Sequence, residues 1–182
     1  MPRLYLVRHG RAAASFSEHA DPGLDALGRE QAAATAERLM NVGPLALLSS
    51  PLARARETAA LLVTRWSQAL RIDERVAEIP SATNDLVART QWLQSIMSGR
   101  WSQLSSPLQS WTAGVIACLR EQTTDTVIFS HFIAINVAVG AAMADDRVVV
   151  FKPDNASVTI IDTDGRELQL VTLGDQAASL VN

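Results

Sequence analysis

Short apolar runs alternate along this chain with longer stretches of helical period. RLYLV, LALLSS and DTVIFS have strand length, and each is followed by a segment whose apolar residues recur every three or four positions. Such alternation selects a layered α/β domain, in which helices cross over a sheet. Asp25 stands as a candidate N-cap before the alanine-rich stretch that ends at NVGP, and Pro51 suits the first turn of the helix after LALLSS. LRIDERVAEI reads as a weaker strand leading into Pro80. PLQSWTAGVIACLREQ and FIAINVAVGAAM read as helices on either side of DTVIFS, and TDG between two alternating runs signals a closing hairpin. The pattern predicts a three-layer α/β/α sandwich with a mostly parallel central sheet and a C-terminal antiparallel hairpin.

The chain has 182 residues, 48% of them apolar, which is enough for one buried core. A single domain over 1–182 is expected. Within it, 80–112 is the least regular stretch, with helical periodicity only around Leu86 to Met97, and it is the candidate for a segment that covers a substrate. Trp92, Trp101 and Trp111 fall there and read first as core anchors.

Charge and cysteine usage narrow the function. A formal net charge of −3 supplies no overall attraction for nucleic acid or anionic membrane, so neither is expected as a partner. Cys118 is the only cysteine, which leaves no internal disulfide and no cysteine-based zinc cluster and suits a reducing cytoplasm. No apolar run approaches the eighteen or so residues of a membrane span, and an arginine precedes the first apolar run; a soluble, cytoplasmic protein is the expectation. The phosphate loop G-x-x-x-x-G-K-[ST], the dinucleotide fingerprint G-x-G-x-x-G and the serine elbow G-x-S-x-G are all absent. A zinc site from His9, His19 and His131 exists by count alone, and His19 reads as solvated in the polar FSEHADPG.

In α/β sheets, ligands gather at the carboxyl ends of the parallel strands. The first run ends in Arg8 and His9, the second leads to Arg54 in the first turn of its helix, and VIFS ends at His131. Each residue alone has a bland reading as the polar boundary of a strand. Together they place four groups that can carry positive charge at one edge, where they repel unless an anion sits among them. A phosphate suits that role, because a guanidinium fork matches its oxygens and helix N-termini add amide donors.

LVRHGRA, DPGLDALGREQA, SSPLARARETA and TVIFSHF resemble, in order, the motifs of the histidine phosphatase superfamily, also called phosphoglycerate mutase-like. The resemblance implies that His9 is the phosphorylated nucleophile. It implies also that Arg8, Arg54 and His131 bind the phosphoryl group with it, and that Glu78 in RVAEI donates a proton. His9, Glu78 and His131 are thus the catalytic candidates. Departures from the family pattern at Arg11 and Phe132, together with Arg100 beside Trp101, are the candidates for substrate contacts. The activity implied is hydrolysis of phosphate monoesters or of phosphohistidine through a phosphohistidine on His9, with a phosphorylated small molecule or a phosphohistidine protein as partner. Neighbouring arginines favour the neutral, nucleophilic imidazole, and positioned cations carry the charge of the transition state, so neither metal nor other cofactor is called for. The alternatives are phosphoglycerate mutase-type transfer and a noncatalytic module that binds phospho-ligands.

Overall fold

A computed structural model describes residues 1–15, 19–81 and 83–177. Its sheet has six strands: β1 (Arg3–Arg8), β2 (Ala46–Ser49), β3 (Leu70–Ile72), β4 (Thr126–Ser130), β5 (Val158–Thr163) and β6 (Leu168–Thr172), ordered β3-β2-β4-β1-β5-β6. The first four in that order run parallel, and β5 and β6 close the sheet as an antiparallel pair. Among the described residues five α-helices accompany them: α1 (Ala26–Leu39), α2 (Ala53–Trp66), α3 (Leu86–Ile96), α4 (Ser106–Arg120) and α5 (Phe132–Met143).

Side chains of a strand alternate between the two faces, and here both faces are covered. Leu4 and Leu6 of β1, Leu48 of β2, Ile128 of β4 and Ile161 of β5 enter one apolar cluster, with Val115 and Leu119 of α4 and Ile133 and Val137 of α5. Tyr5, Val7, Leu47, Val127 and Phe129 enter the other, with Ala36 and Leu39 of α1 and Ala55, Ala59 and Leu62 of α2. That division makes three layers and explains why the strands read as unbroken apolar runs. Trp101 is buried in the first cluster, and Trp92 and Trp111 pack against it.

Local sequence accounts for most element ends. The Asp25 side chain accepts from the Gly28 amide at 2.7 Å and so caps α1. Gly165, at φ +86, supplies the left-handed residue of the hairpin turn. Two expectations need correction. Pro51 lies outside α2, whose N-cap is Leu52, and the third strand stops at Ile72. There Asp73 accepts from the Arg75 amide at 2.9 Å and turns the chain into a 3-10 turn, Glu74–Val76, before it reaches Glu78. Among the described residues no helix is long and apolar enough to cross a membrane.

Candidate active site

The sheet register brings the polar strand ends together. Arg8 pairs with Ser130 across β1 and β4, the His9 amide donates to the Ser130 carbonyl at 3.1 Å, and the Ser50 amide donates to the Phe129 carbonyl at 3.0 Å. His9, Ser50 and His131 therefore leave three neighbouring strands at one level. Ser130 Oγ donates to the Val76 carbonyl at 2.7 Å, which ties the 3-10 turn to the same edge and delivers Glu78 to it. Arg8, His9, Arg54, Glu78 and His131 are all buried.

Contacts within the cluster assign a job to almost every atom. His9 Nδ1 lies 2.7 Å from the Gly10 carbonyl, which can only accept, so Nδ1 carries the ring proton. Nε2 keeps its lone pair and accepts from Arg54 Nε at 3.1 Å. The His9 and His131 rings lie 5.1 Å apart. Arg8 Nη1 donates to the Pro153 carbonyl at 2.8 Å, and its guanidinium lies 5.2 Å from the centre of the Phe132 ring. Glu78 Oε1 accepts from the Ile79 amide at 2.9 Å and from the Ile133 amide at 3.2 Å, within the first turn of α5. Arg8 Nε and His131 Nδ1 are buried and have no hydrogen-bond partner among the described residues. Buried polar groups are ordinarily paired, so an Arg8 N–H without an acceptor, beside Arg54 and the unpartnered His131 nitrogen, marks a place for an oxyanion.

Electrostatics point the same way. Burial first, then the Arg54 and Arg8 charges, hold His9 well below the ordinary histidine value, and burial with Arg54, His9 and Arg8 does the same to His131. Both imidazoles are neutral at pH 7. Burial lowers Arg8 to about 10, against the opposing charges of Glu78 and Asp154. Burial also raises Glu78 above the usual carboxylate value, although two backbone amides and the two arginines pull it back.

The other three candidates are placed apart from this cluster or within its support. Arg11 is held by Asp25, Nε to Oδ2 at 2.5 Å, beside the α1 cap. Phe132 is buried beneath Arg8. Arg100 pairs in a β-bridge with Arg147, beyond the C-terminus of α5, while His131 caps its N-terminus. With twelve residues the helix separates those ends by roughly 18 Å. Arg89 of α3 is the cation whose charge instead bears on both Arg54 and His131. Among the described residues no cluster of three or more His, Cys, Asp or Glu side chains is placed to hold a metal ion.

Several supporting residues had no role assigned from the sequence, although Asp21 lies in DPGLDALGREQA and Ser50 and Thr58 lie in SSPLARARETA. Ser50 Oγ lies 2.7 Å from His131 Nε2. Asp21 Oδ1 accepts from the Ala53 amide at 2.9 Å, capping α2 where Leu52 has no side chain able to do so, and lies 3.8 Å from Arg54 Nη1. Thr58 Oγ1 accepts from the Gly10 amide at 3.0 Å, and Asn155 Nδ2 donates to the His9 carbonyl at 3.2 Å. Asn136 Oδ1 accepts from the Val150 and Phe151 amides at 2.7 and 3.0 Å, fixing the segment that presents the Pro153 carbonyl to Arg8.

Comparison with known proteins gives a consistent picture. The profile of the histidine phosphatase superfamily (branch 1) matches residues 4–176. A glucosyl-3-phosphoglycerate phosphatase of Mycolicibacterium vanbaalenii is 42% identical over 80 residues, a match covering 42% of this chain and only 36% of that protein. A "probable phosphoglycerate mutase" of Erwinia tasmaniensis is 25% identical over 162 residues, covering 79% of this chain and 75% of the relative. A solved structure of a mycobacterial glucosyl-3-phosphoglycerate phosphatase with VO3 superposes with a TM-score of 0.71 over 97% of this chain and 100% of that one, at 23% identity.

Proposed function

The chain belongs to the histidine phosphatase superfamily, and from that premise we propose that it hydrolyses phosphate monoesters of small molecules through a phosphohistidine on His9, with no metal in the reaction. One observation carries the reading. The unprotonated Nε2 of His9 sits beside Arg54, in a cluster where the buried Arg8 Nε–H and the buried His131 Nδ1 have no hydrogen-bond partner among the described residues.

The steps follow from these atoms. A phosphoryl group enters among Arg8, Arg54 and His131, and the Arg54 Nε–H turns from His9 to a phosphoryl oxygen, releasing the lone pair. Nε2 attacks phosphorus while Nδ1–H stays on the Gly10 carbonyl, which keeps the ring oriented and stabilises its developing positive charge. The P–O ester bond breaks, and protonated Glu78 gives its proton to the leaving oxygen. Charge on the equatorial oxygens is met by the guanidinium groups, Arg8 already held by the Pro153 carbonyl and Arg54 by its turn from His9 to the phosphoryl oxygen. In the second half, water attacks the phosphohistidine, the P–N bond breaks, and the Glu78 carboxylate takes the water proton. Inorganic phosphate leaves last, and the starting state is restored.

The mycobacterial relatives are named for a phosphoglycerate ester, whose carboxylate accompanies the phosphate. Arg89 supplies a matching cation on the side of Arg54 and His131, so the substrate class proposed here is a phosphate monoester that bears a second acidic group. Of the stretch expected to cover a substrate, α3, which carries Arg89, then does so, while Trp101 lies in the core and Arg100 at the far end of α5.

A turnover panel in the presence of a chelator tests this reading. It comprises 3-phosphoglycerate, a neutral sugar phosphate, p-nitrophenyl phosphate and a phosphohistidine peptide, each with wild type and Arg89→Gln. Turnover should survive the chelator, and Arg89→Gln should raise KM for the acidic ester while leaving the neutral one unchanged. Tight vanadate binding without turnover of any ester would instead make the protein a binding module. Turnover of the peptide alone would make the substrate a protein.

A further inference from the structure

Ser50 follows β2 and is fully buried. Its hydroxyl has one proton to give and two lone pairs. One lone pair accepts from the Leu52 amide at 3.2 Å, and the other close neighbour is His131 Nε2 at 2.7 Å. If Nε2 carried the ring proton, Ser50 Oγ would accept twice and its own proton would have no acceptor among the described residues. If Ser50 donates to Nε2, its proton and one lone pair are used and only the second lone pair is spare, which costs less than a buried donor with no acceptor. The His131 proton then lies on Nδ1, which is buried, has no acceptor among the described residues, and belongs to the cluster of His9, Arg8 and Arg54. Its charged neighbours there are guanidinium groups, which can only donate.

We propose that Ser50 fixes His131 as the Nδ1–H tautomer, so that a neutral imidazole gives a hydrogen bond to an oxyanion held between His9 and the arginines. The identity of that oxyanion as a phosphoryl group rests on the function proposed above; the tautomer does not. The arrangement has a physical point. A neutral donor adds a hydrogen bond to the anion without adding another cation beside His9, whose nucleophilicity depends on staying unprotonated. Ser50 touches His131 and not the anion, so it is a positioning residue.

The test reads the tautomer and the anion separately. In protein labelled with 15N-histidine, long-range proton–nitrogen spectra of the free wild type should show His131 protonated at Nδ1 and unprotonated at Nε2. Ser50→Thr should keep that pattern and Ser50→Ala should lose it. Inhibition by vanadate should weaken about tenfold in Ser50→Ala, the order expected when one hydrogen bond to a charged group is misplaced, and recover in Ser50→Thr. Wild-type His131 protonated at Nε2 would overturn the proposal, as would Ser50→Ala with unchanged tautomer and unchanged vanadate affinity. Should Ser50→Ala fail to fold, the wild-type spectrum and the Ser50→Thr affinity still decide. A correct tautomer in a protein that turns over no ester would sink the phosphatase reading and leave this one standing.

Discussion

Glu78 shows how one residue's surroundings choose its chemistry. As a carboxylate at the end of a weak strand it would be solvated, yet the turn that Asp73 begins carries it inward to the first turn of α5. There burial favours the neutral acid, while the Ile79 and Ile133 amides and two arginines limit how far its pKa climbs. An acid so poised donates best below its raised pKa and is lost as pH rises through it; His9, held low, is lost as a nucleophile only as pH falls well below 6.5. In Glu78→Gln the phosphorylation step, read as the pre-steady-state burst, should slow by about 100-fold or more for an alkyl phosphate and far less for p-nitrophenyl phosphate, whose leaving group needs no proton. The alkaline limb of the alkyl-phosphate profile should vanish with it. Equal slowing of both bursts would make Glu78 a binding or structural group.

At the scale of elements, the loop after β1 lies against the start of α1 with no space between backbones. A Cβ on Gly28 would stand 2.1 Å from the Arg11 carbonyl oxygen, and one on Gly10 would stand 2.3 Å from the Gly28 oxygen. Gly28→Ala should therefore cost about 1–3 kcal/mol, the range for overpacking, and lower the melting temperature by several degrees. Activity should fall as well, because the displaced loop carries the Gly10 carbonyl that orients His9. An alanine variant melting with wild type would show that the helix start can simply move away. Sequence signals located α1 and the closing hairpin because Asp25 and Gly165 perform local jobs that a pattern can reveal. They misplaced the start of α2 because its cap comes from Asp21, thirty-two positions earlier. They overran β3 because a side chain, Asp73, ends it.

Over the whole molecule, the cluster of Arg8, His9, Arg54 and His131 was legible because apolar runs fix the strands and the topology does the rest. Parallel β1, β2 and β4 necessarily end at one edge. The support was not legible: the Pro153 carbonyl under Arg8, Asn155 on His9 and Ser50 on His131 act across 145, 146 and 81 positions of sequence, and one of them is backbone. The sequence pointed to Arg100, beside Trp101, and passed over Arg89. Only the packing of α3, and the β-bridge that draws Arg100 to Arg147, set them apart. The proposed phosphoryl transfer depends on one unprotonated nitrogen, Nε2 of His9 beside Arg54, and that dependence is open to direct trial. Wild type and His9→Ala are mixed with a labelled phosphate ester, quenched in base within a turnover, and mapped by mass spectrometry. One acid-labile, base-stable phosphate on His9 of the wild type, absent from the folded variant, is the expected result; turnover with no such phosphate, or with full rate in His9→Ala, would contradict it.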